Sequence, residues 1–138
     1  MIALAYVRYS HEKKAKGASV ERQRESIAAH CLAQKWELVD EYLDAGRSAS
    51  KNRHREEGAE LYRLESECRE GTHQGKVLVC ERLDRLSRKG WEDTYELIKS
   101  LGRFGLSIAT VDGSTIYKAG ETKAEIATLE SRLRSLGA

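Results

Sequence analysis

Two short stretches of this chain hold the residue types that phosphate chemistry needs. Tyr6-Val7-Arg8-Tyr9-Ser10 places an arginine two residues before a hydroxyl nucleophile, and on an extended strand Tyr6, Arg8 and Ser10 share one side. Glu81-Arg82-Leu83-Asp84-Arg85-Leu86-Ser87-Arg88 gathers arginines around an aspartate. At helical spacing Arg85 and Arg88 meet on one face, as do Asp84 and Arg88, while Leu83 and Leu86 anchor the segment and aim its arginines. Several guanidinium groups spread over the nonbridging oxygens of a phosphate and stabilise the charge that builds up during phosphoryl transfer. Read singly, each stretch has a plainer alternative: a strand running out to a solvated arginine and a turn serine, or an exposed, salt-bridged helix start.

Other chemistries find less support. No GxxxxGK[ST] loop and no metal-spaced cluster of carboxylates is present, so neither ATP nor a metal is called for. Cys31, Cys68 and Cys80 are odd in number and lack CxxC spacing, which fits a reducing, cytoplasmic setting rather than a disulfide framework or zinc site. His11 follows Ser10 directly, and neighbours on a strand point oppositely, so a serine–histidine pair is not expected. His30, His54 and His73 fall in different elements and read as surface histidines. The apolar runs are too short to span a membrane, and the start does not resemble a secretory signal.

The elements that must position these residues alternate. With 138 residues, 40% hydrophobic and 33% charged, the chain suits one packed domain. Ile2 to Tyr9 reads as a buried strand, Ser19 to about Lys35 as an amphipathic helix capped by Ser19, and Trp36 to Leu43 as a second strand. Asp44 to Arg55 reads as a long polar loop, Glu56 to Cys68 as a helix, and Lys76 to Cys80 as the plainest buried strand. Trp91 to Arg103 reads as a helix, Leu106 to Val111 as a strand and about Glu121 to Leu136 as a final helix. Trp36 and Trp91 are expected to shield core edges. The alternation predicts an α/β fold, three-layer αβα with a largely parallel central sheet. Sites in such sheets gather at the carboxyl ends of strands. That rule selects Ser10, the loop after Asp44 and the Glu81–Arg88 segment.

Taken together, Tyr6-Val7-Arg8-Tyr9-Ser10, Ser19-Val20-Glu21-Arg22-Gln23, Asp44-Ala45-Gly46-Arg47-Ser48-Ala49-Ser50 and Arg82-Leu83-Asp84-Arg85-Leu86-Ser87-Arg88 resemble, in order, the catalytic domain of the serine recombinases: the resolvases, invertases and large serine integrases. The resemblance implies a resolvase-like fold and a site-specific DNA recombinase, with Ser10 as the nucleophile that forms a covalent 5′-phosphoserine bond. It implies Arg8, Arg85 and Arg88 around the scissile phosphate, and Asp84 arranging nucleophile or leaving group. Tyr6, Gln23 and Ser48 would support the site or bind phosphate. Arg55 is chosen as the remaining loop arginine, with Arg53 as a substitute because Glu56 stands where the family usually has proline. No metal or other cofactor is implied. The implied partners are double-stranded DNA and further copies of the chain, a homodimer becoming a tetramer at synapsis, in a protein of mobile-element or phage origin. Residues 1–118 would be the catalytic domain. Residues 119–138 would be a C-terminal helix, used for dimerisation or forming a shortened linker, and the seam Ile126, Leu129, Leu133, Leu136 fits either a partner helix or the chain's own sheet. Two other readings stay open: a non-catalytic assembly or regulatory module that keeps the fold, and a phosphatase-like enzyme using the same arginine pocket.

Overall fold

The small and β-branched residues at the start of the chain form strand β1 (Ile2–Ser10), and the uninterrupted apolar run later in the chain forms β3 (Val77–Cys80). In the computed structural model, which describes residues 1–10, 16–46, 59–86, 90–120 and 131–135, these two strands pair in parallel near the middle of a five-stranded sheet. β2 (Glu37–Gly46) flanks β1, β4 (Ser107–Thr110) flanks β3, and both run parallel to their neighbours. β5 (Thr115–Tyr117) then pairs antiparallel with β4, giving the order β2-β1-β3-β4-β5. A parallel sheet with both faces covered has strands without alternation. Accordingly, every residue of β3 and β4 is buried.

Helix α1 (Lys16–Gln34) links β1 to β2, α2 (Ala59–Arg69) leads to β3, and α3 (Trp91–Arg103) leads to β4. The faces of the sheet carry separate cores, as the strand period of two requires. On one, Ala3, Ala5, Val7, Val77 and Val79 meet Val20, Ile27 and Cys31 of α1. On the other, Leu4, Tyr6, Tyr42, Leu78 and Ile108 meet Leu61 and Leu64 of α2 and Leu97 and Leu101 of α3. The architecture is therefore three-layered, αβα. Leu133, in the helical stretch 131–135, is fully buried in this second core; Ile126, Leu129 and Leu136 lie outside the described residues.

The turns on either side of β4 each depend on a glycine. Gly105, just before β4, has φ +86°, and a Cβ there would lie 2.8 Å from Gln74 Cγ. Gly113 has φ +72° in the 3-10 turn between β4 and β5, a left-handed conformation that disfavours other residues.

Several boundaries differ from the sequence reading. α1 begins at Lys16, so Ser19 sits inside its first turn instead of capping it, and its Oγ accepts a hydrogen bond from Gln23 Nε2 at 3.3 Å. β2 runs on to Gly46, because β1 continues as its partner through Arg8↔Asp44, Tyr9↔Ala45 and Ser10↔Gly46. Asp44, Ala45 and Gly46, expected to open the polar loop, are therefore strand. His73 is not a surface residue: it is 5% exposed, its Nε2 lies 3.0 Å from Tyr42 Oη and 2.9 Å from Glu67 Oε1, and its Nδ1 lies 3.2 Å from Lys76 Nζ. All three cysteines are free and buried.

Candidate active site

The carboxyl ends of β1, β2 and β3 converge on one edge of the sheet, and each brings a polar side chain. Tyr6 is buried on β1 and donates its hydroxyl to Asp44 Oδ2 at 2.9 Å. Asp44, buried opposite Arg8 on β2, also accepts the backbone N–H groups of Glu60 at 3.0 Å and Leu61 at 3.1 Å. Those amides open α2, so the carboxylate caps a helix whose free N–H groups and dipole favour an anion. Burial raises the Asp44 pKa above the ordinary carboxylate value, and the three hydrogen bonds oppose that rise.

Arg8 ties the serine-bearing strand to the arginine segment. Its Nη2 donates to the Asp84 carbonyl at 2.9 Å, across the end of β3. The pairing of β1 with β3 stops at Ala5↔Val79. Beyond it the fully buried Gln23 amide stands in for a neighbouring strand, donating to the Arg8 carbonyl at 3.0 Å and accepting the Arg8 N–H at 3.4 Å. The backbone two residues before Ser10 is thereby held on both edges. Ser10 itself ends β1, opposite Gly46.

Leu83–Leu86 forms a 3-10 turn, seated by the buried side chains of Leu83 and Leu86 as their spacing suggested. It leaves the Asp84 side chain 41% exposed and paired with Arg82 Nε at 3.2 Å. Arg85 folds inward to 18% side-chain exposure, where its Nη2 donates to Glu81 Oε1 at 3.2 Å. The other carboxylate oxygen of Glu81 holds Arg22 of α1. Arginines from β1, α1 and the turn thus crowd one strand edge, a setting suited to an anionic oxygen cluster. Cys80, at the end of β3, is no competing nucleophile: burial pushes its thiol up to about 12.

Comparison with known proteins places the chain in a family. Residues 3–135 match the family model "Resolvase, N terminal domain". The chain belongs to the resolvase family. Over 117 residues, 83% of the chain, it is 32% identical to the uncharacterized protein YbcK of Escherichia coli (strain K12), of which the match covers 23%. The chain spans less than two thirds of the length of the curated relatives it matches. Its fold is similar to the N-terminal catalytic domain of TP901-1 integrase, with a TM-score of 0.70, 22% identity and 100% of both chains covered. It is also similar to a resolvase family site-specific recombinase from Streptococcus pneumoniae, with a TM-score of 0.74, 20% identity and coverage of 99% of this chain and 87% of that one.

Of the residues expected for this resolvase-family chain, the structure joins Arg8 to Gln23 and, through the Asp84 carbonyl, to the turn that carries Asp84 and Arg85, with Tyr6 on the strand that ends at Ser10. Tyr6 is directed to Asp44, so its hydroxyl supports the strand ends. Ser48, Arg53, Arg55 and Arg88 lie outside the described residues, as does His11. Three participants stand within the motifs but carry no role in the sequence alone: Asp44, Glu81 and Arg22. Parity carried a signal for two of them. Asp44 shares its side of β2 with Tyr42, and Glu81 continues the alternate positions Val77 and Val79, so both are charges at positions facing a core.

Proposed function

We propose that this resolvase-family domain is the catalytic part of a site-specific DNA recombinase acting through Ser10. The observation that carries the reading is the Arg8–Asp84 contact, which fastens the strand ending at Ser10 to the turn bearing Arg85, as a site pairing a serine nucleophile with cations requires. In the proposed reaction the Ser10 hydroxyl loses its proton and its oxygen attacks a DNA phosphodiester. The bond to the 3′ oxygen breaks, that oxygen takes up a proton to leave as a 3′ hydroxyl, and the phosphorus stays on Ser10 with the 5′ end. Attack by a 3′ hydroxyl on the phosphoserine reverses the step and rejoins the strand. One phosphate ester replaces another, so the bond energy is kept for rejoining.

Arg8 and Arg85, with Arg88 and the loop arginine Arg55, spread the charge that accumulates on the nonbridging oxygens. Asp84 helps arrange nucleophile or leaving group, and Ser48 supports the site. Gln23, Tyr6 and Asp44 act one step back, holding the backbone. Double-stranded DNA is the proposed substrate, met by a homodimer that becomes a tetramer at synapsis, in the cytoplasm. Among the described residues no helix is long and apolar enough to cross a membrane. Pairing of copies through the 119–138 segment has to use residues other than Leu133, which this chain buries in its own core.

The test is to mix the full-length gene product with supercoiled plasmid carrying the DNA that flanks its gene, and to quench in denaturant. Protein attached to 5′ ends, absent with Ser10→Ala, is the expected result. No adduct, with DNA binding intact, would turn the arginine cluster into a binding site and favour the assembly module. Turnover of a small chromogenic phosphate ester instead would favour the phosphatase-like reading.

A further inference from the structure

Glu81 occupies a position where a charge needs a reason. Val77 and Val79 pack beneath α1, and the strand period carries Glu81 to the same side, where its side chain keeps only 12% exposure. The carboxylate divides its oxygens, one to Arg22 of α1 and one to Arg85 of the turn. Arg85 Nε is also buried and, among the described residues, has no hydrogen-bond partner. Nε and Nη2 form one edge of the guanidinium, which takes two oxygens of a phosphate at once. Glu81 therefore holds half of that edge while the donor beside it is left unsatisfied, which buried donors normally avoid.

We propose that Glu81 is a resting-state counter-ion for Arg85: in the DNA-free protein it occupies the guanidinium edge that the scissile phosphodiester takes over. This rests on the reading of Arg85 as a phosphate ligand. The exchange satisfies Nε and separates Glu81 from an incoming anion. Arg22, 56% exposed at its side chain, keeps the released carboxylate paired, so the exchange strands no charge. Arginine, carboxylate and arginine together carry one net positive charge, which a neutral residue at 81 would raise to two.

The test titrates the chain with a dialkyl phosphate at low ionic strength and follows the arginine Nε–H signals by NMR. Glu81→Gln is expected to bind about fivefold more tightly, on the order of 1 kcal/mol at 1.4 kcal/mol per tenfold. The gain is expected to vanish when Arg85→Ala is added. Unchanged or weaker binding by a variant with native circular dichroism would overturn the proposal. So would a gain that survives Arg85→Ala, since that would mark a general field effect. Should Glu81→Gln fail to fold, Arg22→Ala probes the same contact with opposite sign. Left with Arg85 alone, Glu81 grips it harder and phosphate affinity falls, but not in the Arg85→Ala background; any other pattern contradicts the proposal. An adduct at Ser10 without these shifts would sink this inference alone, whereas the shifts without an adduct would sink only the recombinase reading.

Discussion

Tyr6→Phe deletes one oxygen and with it one of the donors that, among the described residues, serve Asp44. The hydroxyl is buried, and its bond to Asp44 Oδ2 measures 2.9 Å. A hydrogen bond to a charged group contributes roughly 1.5–3 kcal/mol, and the backbone amides of Glu60 and Leu61 remain, so a loss of about 2 kcal/mol is expected at neutral pH. In urea, with a slope on the order of 1–3 kcal/mol per molar, the unfolding midpoint should fall by about 1 M. The loss should also depend on pH. Because burial raises the Asp44 pKa, the protonated carboxyl is favoured by the folded state: its stabilisation is full below the unfolded pKa and is lost as pH rises through the folded one. The Tyr6 bond lowers that pKa, so Tyr6→Phe lets it rise further and gains more from acidification. The gap between the two proteins should therefore narrow as pH falls through the raised pKa, towards the roughly 1 kcal/mol of a neutral hydrogen bond. An unchanged midpoint at neutral pH, or a gap that widens in acid, would show that the Tyr6 hydroxyl does not support a charged Asp44.

Two further substitutions probe the supports of the site. Gln23→Ala removes the amide that serves both backbone groups of Arg8; it should cost roughly 1–3 kcal/mol in urea unfolding and speed amide exchange at Arg8 by at least tenfold. Exchange at the wild-type rate would show that the amide is dispensable. Leu133→Ala empties a fully buried position in the larger core and should lower stability by about 2–5 kcal/mol. A loss below about 0.5 kcal/mol, the range of surface substitutions, would mean that the terminal helix does not rest on this sheet.

What could be read beforehand follows from how local each signal is. Val77–Cys80 and Trp91–Arg103 were legible because an unbroken apolar run and a helical period each sit within a few residues. The triplet Tyr6, Arg8 and Ser10 was legible for the same reason. β5 was not: Thr115–Tyr117 is too short to show a period, and its place depends on the left-handed Gly113 before it. The end of β2 resembles loop in sequence because Asp44-Ala45-Gly46 has no apolar alternation; its strand geometry comes from pairing with β1. Glu81 and His73 give no sign of burial in the sequence, because their polarity suggests solvent. Their partners, Arg22 and Tyr42, lie 59 and 31 residues away in the chain, where no local pattern reaches.

The claim that organises the rest is that the serine at the end of β1 carries the covalent bond to DNA. The direct measurement is mass spectrometry of the full-length gene product, quenched on its DNA, digested with nuclease and protease, and searched for a peptide bearing a nucleotide through phosphate. Fragmentation is expected to place this mass on Ser10, with none on any other serine. A nucleotide mapped to a different residue, or a peptide containing Ser10 that stays unmodified while DNA is cleaved, would contradict that claim.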